Sequence, residues 1–243
     1  VIAIINYASA LQDNNSLDEA EKLLRETIPT IQSLNEKSPN IYNEELATVY
    51  NNLGVLLVTK GCLDEAKNDL MMAEQLRREL VKVNPNAFNG RLAATLYSQA
   101  VIEHQSGNLS FGIEKWKEAL SLLDIYEFND GNDWSAQVGE YNFRIGVAYM
   151  GLEDTNNALS YLRSAETAFR TIYDRNSLPK MFEDSFALVL LSLGTLYDSI
   201  EEKRDEAEGK FEESLDVALW FTSCSPKSDH SFLVKVFFDY GFF

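Results

Sequence analysis

A small residue recurs along this chain about every 46 residues, and twelve positions after it comes a second small residue followed by apolar ones. In the first copy the two small residues are Ala8 and Ala20, with Leu24 and Thr27 behind them. The second copy has Gly54, Ala66, Leu70 and Ala73, and the third has Ala100, Gly112, Trp116 and Ala119. The fourth has Gly146, Ala158, Leu162 and Ala165; a fifth has Gly194, Ala207, Phe211 and Ser214, with one residue inserted between its halves. Copies in register at one period specify a stack of like units, each burying its apolar face on the next. Two antiparallel helices need Gly or Ala where their backbones nearly touch. Large residues beside that contact fill the gap: Tyr50 and Leu53 before Gly54, Ile145 and Tyr149 around Gly146. The expected fold is all-α, built of stacked antiparallel helix pairs, about five repeats and a partial sixth.

Caps and apolar periodicity place the pairs at 1–13 with 17–37, 43–60 with 63–83, 89–106 with 109–127, 134–151 with 155–174, and 180–200 with 203–221. Ser16 with Glu19 has the spacing of a capping box, and Asn108, Asp133 and Asp154 are further start signals. Gly61, Gly107 and Gly151 are expected to end first helices, where a left-handed residue is wanted. Turn-forming clusters such as Ser38-Pro39-Asn40 and Asn84-Pro85-Asn86 recur at the repeat period and read as loops between repeats. Pro29 falls inside an apolar-periodic helix and predicts a kink or a split there. Copy three places Gln99 and Glu103 where other copies are apolar, so either its packing is locally adjusted or it is specialised for binding.

The order Asn51-Asn52-Leu53-Gly54, then Gly61 and Leu63-Asp64-Glu65-Ala66, resembles the tetratricopeptide repeat family. The longer period is similar to the kinesin-light-chain style of that family. The resemblance runs through nearly the whole chain and implies a right-handed α-solenoid. It suggests one domain over 1–243, with repeats at about 1–40, 41–87, 88–132, 133–178 and 179–227 and a partial sixth at 228–243.

Composition narrows the partners. At 243 residues and 45% hydrophobic the chain can bury a continuous core, and no uninterrupted apolar run is long enough to cross a membrane. A net charge of −17 disfavours nucleic acid and anionic lipid, and suits a neutral or basic protein or peptide. The two cysteines, Cys62 in a helix–helix turn and Cys224 in an expected loop, follow no metal spacing and fit a reducing, cytoplasmic setting. No targeting leader is legible, and a start at Val1 inside a first helix suggests a piece of a longer protein. Ser231 to Phe243 reads as the first helix of the sixth copy, with Gly241 at the packing position. Phe232–Phe243 is apolar nearly all round, either as a helix buried in a longer protein or as a surface for self-association.

Catalytic chemistry is not indicated. Only His104 and His230 exist, far apart in sequence, and no phosphate-cradling Gly-rich loop or metal-ligand motif occurs. No cofactor or metal is expected, and the chain is read as a non-enzyme. Glu44-Glu45, Asp64-Glu65 and Glu201-Glu202 lie near helix starts, where carboxylates meet the helix dipole favourably.

The resemblance implies that binding falls to the inner face of each first helix, with the residue two before the packing Gly or Ala pointing into the groove. That row reads Asn6, Asn52, Ser98, Arg144 and Ser192. Short amides and hydroxyls in a ladder can hydrogen-bond an extended peptide backbone. Four positions earlier the same face carries Ile2, Thr48, Ala94, Glu140 and Leu188, and three positions later Ser9, Val55, Val101, Val147 and Thr195. The family's two-carboxylate clamp for chaperone tails needs Lys and Arg beside Asn. Asn6 and Asn52 match its Asn, but Ala94, Ser98 and Glu140 stand where cations belong, leaving Arg144 alone. The function expected is a non-catalytic scaffold that holds a peptide segment or partner protein in its groove. Two alternatives are a structural subunit of a large assembly and a peptide-responsive regulatory domain.

Overall fold

The computed structural model describes residues 1–38, 40–124, 134–174, 178–179 and 182–224. The described residues form ten α-helices and a short 3₁₀ turn, with no strand among them. The helices are α1 (Ile2–Asp13), α2 (Leu17–Lys37), α3 (Asn43–Thr59), α4 (Leu63–Val83), α5 (Pro85–Gln105), α6 (Leu109–Asp124), α7 (Ser135–Gly151), α8 (Thr155–Tyr173), α9 (Glu183–Asp198) and α10 (Arg204–Cys224). The chain divides into two compact units, Val1–Gly131 with α1 to α6 and Asn132–Phe243 with α7 to α10. Within each unit odd-numbered helices pair with the even-numbered helix that follows, and α2 packs on α3, α4 on α5 and α8 on α9. This is the stacked-hairpin α-solenoid architecture that the repeat pattern specifies. The expected Phe232–Phe243 helix, and with it the partial sixth repeat, lies outside the described residues.

The small residues sit where helix axes approach. Ala8, Ala20, Ala66, Ala100 and Ala158 are fully buried. A methyl group built on Gly54 would lie 2.6 Å from Leu70 Cγ, and one on Gly146 would lie 2.7 Å from Leu162 Cγ. In each unit these contacts are surrounded by a continuous apolar cluster, centred on Leu24, Leu53, Leu57 and Leu70 in the first. Leu162, Phe169, Phe186 and Leu193 centre the second. Removing that much apolar surface from water is what holds the hairpins together.

Several local expectations are corrected. Helix α5 begins at Pro85, not residue 89: Pro85 occupies the first turn, where its missing N–H costs nothing, and the Asn84 side chain accepts from Ala87 N. The left-handed residues are Gly61 (φ 77°) and Gly107 (φ 81°) as expected, but Gly151 is still helical and Glu153 (φ 59°) takes that role in copy four. Asn15 (φ 60°) does the same in copy one. Ser16 makes no side-chain cap bond, so the capping box does not form. Its ψ of 57° is not the extended value that aims an N-cap hydroxyl at the helix donors. Asp154 does cap, accepting from Asn157 N at 3.1 Å. Pro29 does not split its helix, since α2 runs continuously through it and is held by Leu24, Thr27 and Ile31 in the core. Cys224 closes α10 rather than lying in a loop.

Candidate partner-binding face

Successive residues on an α-helix are turned by about 100°, so a residue two positions before the packing Gly or Ala points away from the paired helix. In the first unit this places Asn6 on α1, Asn52 on α3 and Ser98 on α5, with α3 touching both α1 and α5. Gln12 Nε2 donates to the Asn52 carbonyl at 3.4 Å, tying α1 to α3 at the row. Asn6 is exposed, and Asn52 and Ser98 are half-buried. The Ser98 hydroxyl donates to Ala94 O at 3.1 Å, leaving its lone pairs as acceptors. Beside the row, Ile2 and Val55 are exposed apolar positions, so the face mixes polar and apolar character.

In the second unit the row continues with Arg144 on α7 and Ser192 on α9, which are in contact with each other. Ser192 Oγ donates to Leu188 O at 2.7 Å. Arg144 is exposed but engaged: its Nε donates to Glu140 Oε1 at 2.6 Å, and its guanidinium lies 5.5 Å from the Phe143 ring centre. A ligand anion would have to compete with Glu140, a physical reason against the two-carboxylate clamp.

The polar residues of copy three are packing substitutions. Gln99 is buried, with Nε2 donating to Leu70 O at 3.2 Å and to Glu74 Oε2 at 2.8 Å. Glu103 pairs with Lys67 and accepts from Asn108 Nδ2, and these bonds hold its carboxyl below the usual range. His104 packs its ring 5.7 Å from that of Trp116. A small cavity of about 210 Å³ lies beside this cluster, bounded by Met71, Glu74 and Ile102.

The second helices carry a charge cluster that periodicity did not reveal. Arg78 bridges Glu74 of its own helix and Glu118 of α6, the latter at 2.6 Å, while Lys115 reaches back to Glu74 at 3.1 Å. Arg170 repeats this with Glu166 and Glu213, both at 2.6 Å, and Lys210 returns to Glu166 at 2.7 Å. The signal was present in the sequence. Glu and Arg stand eight and twelve positions after Ala66 and Ala158, and Lys and Glu stand three and six positions after Gly112 and Ala207. At the step from copy three to copy four those positions hold Leu120, Asp124, Tyr161 and Ser164, so the motif is missing there. Burial raises the Glu74 and Glu213 carboxyls, but hydrogen bonds and the facing cations outweigh it and hold both below the usual range. The open cavity beside the second cluster, about 700 Å³, is bounded by Arg163, Glu166, Arg170, Tyr197 and Lys210. Arg163 there donates to Tyr197 Oη at 3.0 Å.

Among the described residues no helix is long and apolar enough to cross a membrane, and no three potential metal ligands lie together.

Residues 139–170, which cover most of α7 and most of α8, match the tetratricopeptide repeat family model. BtubC (BKLC) from P. vanneervenii has a similar fold at 20% identity and a TM-score of 0.66, covering 91% of this chain and 79% of that one. A putative kinesin light chain from Podospora anserina with nearly identical TPR-like repeats follows at 14% identity and TM-score 0.63, covering 93% and 96%. YrrB, a TPR protein with an unusual peptide-binding site, aligns at 17% identity and TM-score 0.52, covering 96% and 89%. No curated protein sequence matches significantly. The likeness to tetratricopeptide and kinesin-light-chain-like repeats is therefore one of fold.

Proposed function

We propose that this chain is a non-catalytic protein-interaction scaffold, and that the groove faces of its first helices, turned away from their paired second helices, hold an extended peptide segment. Asn6, Asn52 and Ser98 form the polar row in one unit and Arg144 and Ser192 in the other. The observation that carries the reading is the mixed face itself. Amides and hydroxyls accessible to a peptide backbone stand at one helical position in successive repeats, beside apolar Ile2 and Val55 left open to solvent. YrrB, of similar fold, has a peptide-binding site, which supports this use. The net charge of −17 favours a neutral or basic segment in a cytoplasmic setting.

The experiment uses an array of neutral and basic twelve-residue peptides with the full chain. Basic members should bind, and Asn52→Ala with Arg144→Ala should weaken them about tenfold or more while the melting point holds. Charge reversal at the exposed Glu201 and Glu202 should change mainly the salt dependence. Normal binding by the double variant would sink the groove reading.

A further inference from the structure

Packing leaves one group of copy three unexplained. Gln99 stands where copies two, four and five have Leu53, Ile145 and Leu193, all fully buried. It is itself buried, and its Nε2 donates to Leu70 O and Glu74 Oε2, but its Oε1 finds no partner among the described residues. An unmet buried acceptor costs stability that the leucine of copies two and five does not. Gln99 borders the small cavity between α4, α5 and α6, about 210 Å³ in volume. That is room for about seven water molecules, below the roughly 300 Å³ at which drug-sized ligands begin to fit.

The seam beside this cavity is also built differently from the others. Arg25 on α2 reaches Glu65 on α4 at 2.6 Å, and the same two repeat positions hold Arg163 on α8 and Glu206 on α10. On α4 and α6 they hold Met71 and Phe111, exposed at 55% and 65%. An apolar pair has thus replaced a charged one, and Met71 borders the cavity. Ile102 gives it a second apolar wall. The rest of the rim is charged but balanced: Lys67 pairs with Glu103, and Lys115 reaches the two Glu74 oxygens at 3.1 and 3.2 Å. Lys67 has a single acceptor for its ammonium hydrogens, so donors are to spare.

We propose that this cavity binds a free apolar amino acid, with its side chain against Met71 and Ile102, its carboxylate on Lys67 and Lys115, and its ammonium on Gln99 Oε1 and Glu103. The charges select the class. A simple anion would face the chain's net charge of −17 and two rim carboxylates, and a simple cation would face two rim lysines. A zwitterion meets both signs and leaves the balance unchanged. A residue within a polypeptide does not qualify, because its amino and carboxyl groups are uncharged amides. The site is separate from the peptide row, which on α5 is Ser98.

The test is calorimetric titration of leucine and of methionine into the full chain. One of the two is expected to bind with a Kd of about 1 mM or tighter. Isocaproate, which lacks the ammonium, and N-acetyl-leucinamide, which lacks both charges, should bind about tenfold more weakly or worse. Met71→Arg with Phe111→Glu restores the charged pair of the other seams at two exposed positions. That variant should keep its helical signal and melting point while affinity falls about tenfold or more. Gln99→Leu, the residue of copies two and five, should raise the melting point and weaken binding in the same way. Failure of both amino acids to bind at millimolar concentrations would overturn the proposal. Equal binding by N-acetyl-leucinamide would overturn it by assigning the cavity to a residue of a polypeptide. Full affinity in either variant would place the bound amino acid elsewhere on the chain, and would equally overturn it.

Discussion

Arg77 Nη1 donates to Thr95 Oγ1 at 2.6 Å, inside the interface between α4 and α5, with the Arg77 side chain almost fully buried. The same nitrogen reaches Arg91 O at 2.7 Å and Asn51 Oδ1 at 3.3 Å, while Nε finds no partner among the described residues. Other copies place Ile31, Leu123 and Phe169 at this position, all buried. Burial pushes the Arg77 pKa down to about 10, against the pull of the Glu44 charge and with a smaller push from Arg91.

A buried cation of this kind need not stabilise, because desolvation offsets its hydrogen bonds. Arg77→Ala, which leaves a cavity and removes the Nη1 bonds to Thr95, Asn51 and the Arg91 carbonyl, should cost about 2–5 kcal/mol. Arg77→Leu combined with Thr95→Val, which restores the apolar solution of the other copies, should cost less than about 1 kcal/mol or stabilise. Denaturant unfolding decides, and a double variant weaker than Arg77→Ala would refute the account. The pH sign follows from the same shift. A base with a depressed folded pKa binds fewer protons folded than unfolded. Its burial therefore costs stability at neutral pH, and that cost is relieved as pH rises from about 10 towards the ordinary arginine value.

Glycine substitutions should separate packing from propensity. A methyl group on Gly54 meets Leu70 Cγ at 2.6 Å and one on Gly194 meets Phe211 Cε1 at 2.5 Å, whereas one on Gly209 of α10 meets nothing within 4 Å. Gly54→Ala and Gly194→Ala should each lose about 1–3 kcal/mol through overpacking. Gly209→Ala should gain about 0.5–1 kcal/mol, because alanine is the better helix former. Thermal melts showing one sign for all three would contradict the assigned register.

Acid should loosen the charge clusters. Glu74 and Glu213 have folded pKa values below their ordinary 4.5, so the stability they contribute is present above 4.5 and lost as pH falls through the folded values. Glu74→Gln should be less stable than the parent at pH 7 and show a flatter decline below pH 4.5. Asp69 works the other way: burial raises its carboxyl, so its charged form costs stability at neutral pH. Asp69→Asn should therefore raise the melting point at pH 7 and lose that advantage as pH falls through the raised pKa. Parallel acid profiles for the parent and both variants would remove the clusters from the account of stability.

The repeat register was legible from residue type alone, because close helix approach admits only Gly or Ala, and Gly54, Ala66, Gly146 and Ala158 recur where it happens. Helix order and most boundaries followed, as did the left-handed turns at Gly61 and Gly107. Local punctuation was less certain. Gly151 and Glu153 compete for one turn, Pro85 can begin a helix as readily as sit in a loop, and the Ser16 hydroxyl depends on a ψ angle its neighbours impose. The candidate row was found by position, yet the pairing of Arg144 with Glu140 needed coordinates. The charge clusters were written at fixed spacings but stayed hidden, because they join side chains about 40 residues apart on helices that only stacking brings together. Burial was decided by tertiary structure alone. Ile4 and Leu96 occupy the same place in the repeat, and one is open while the other is closed because burial depends on what lies over a residue, not on the residue itself.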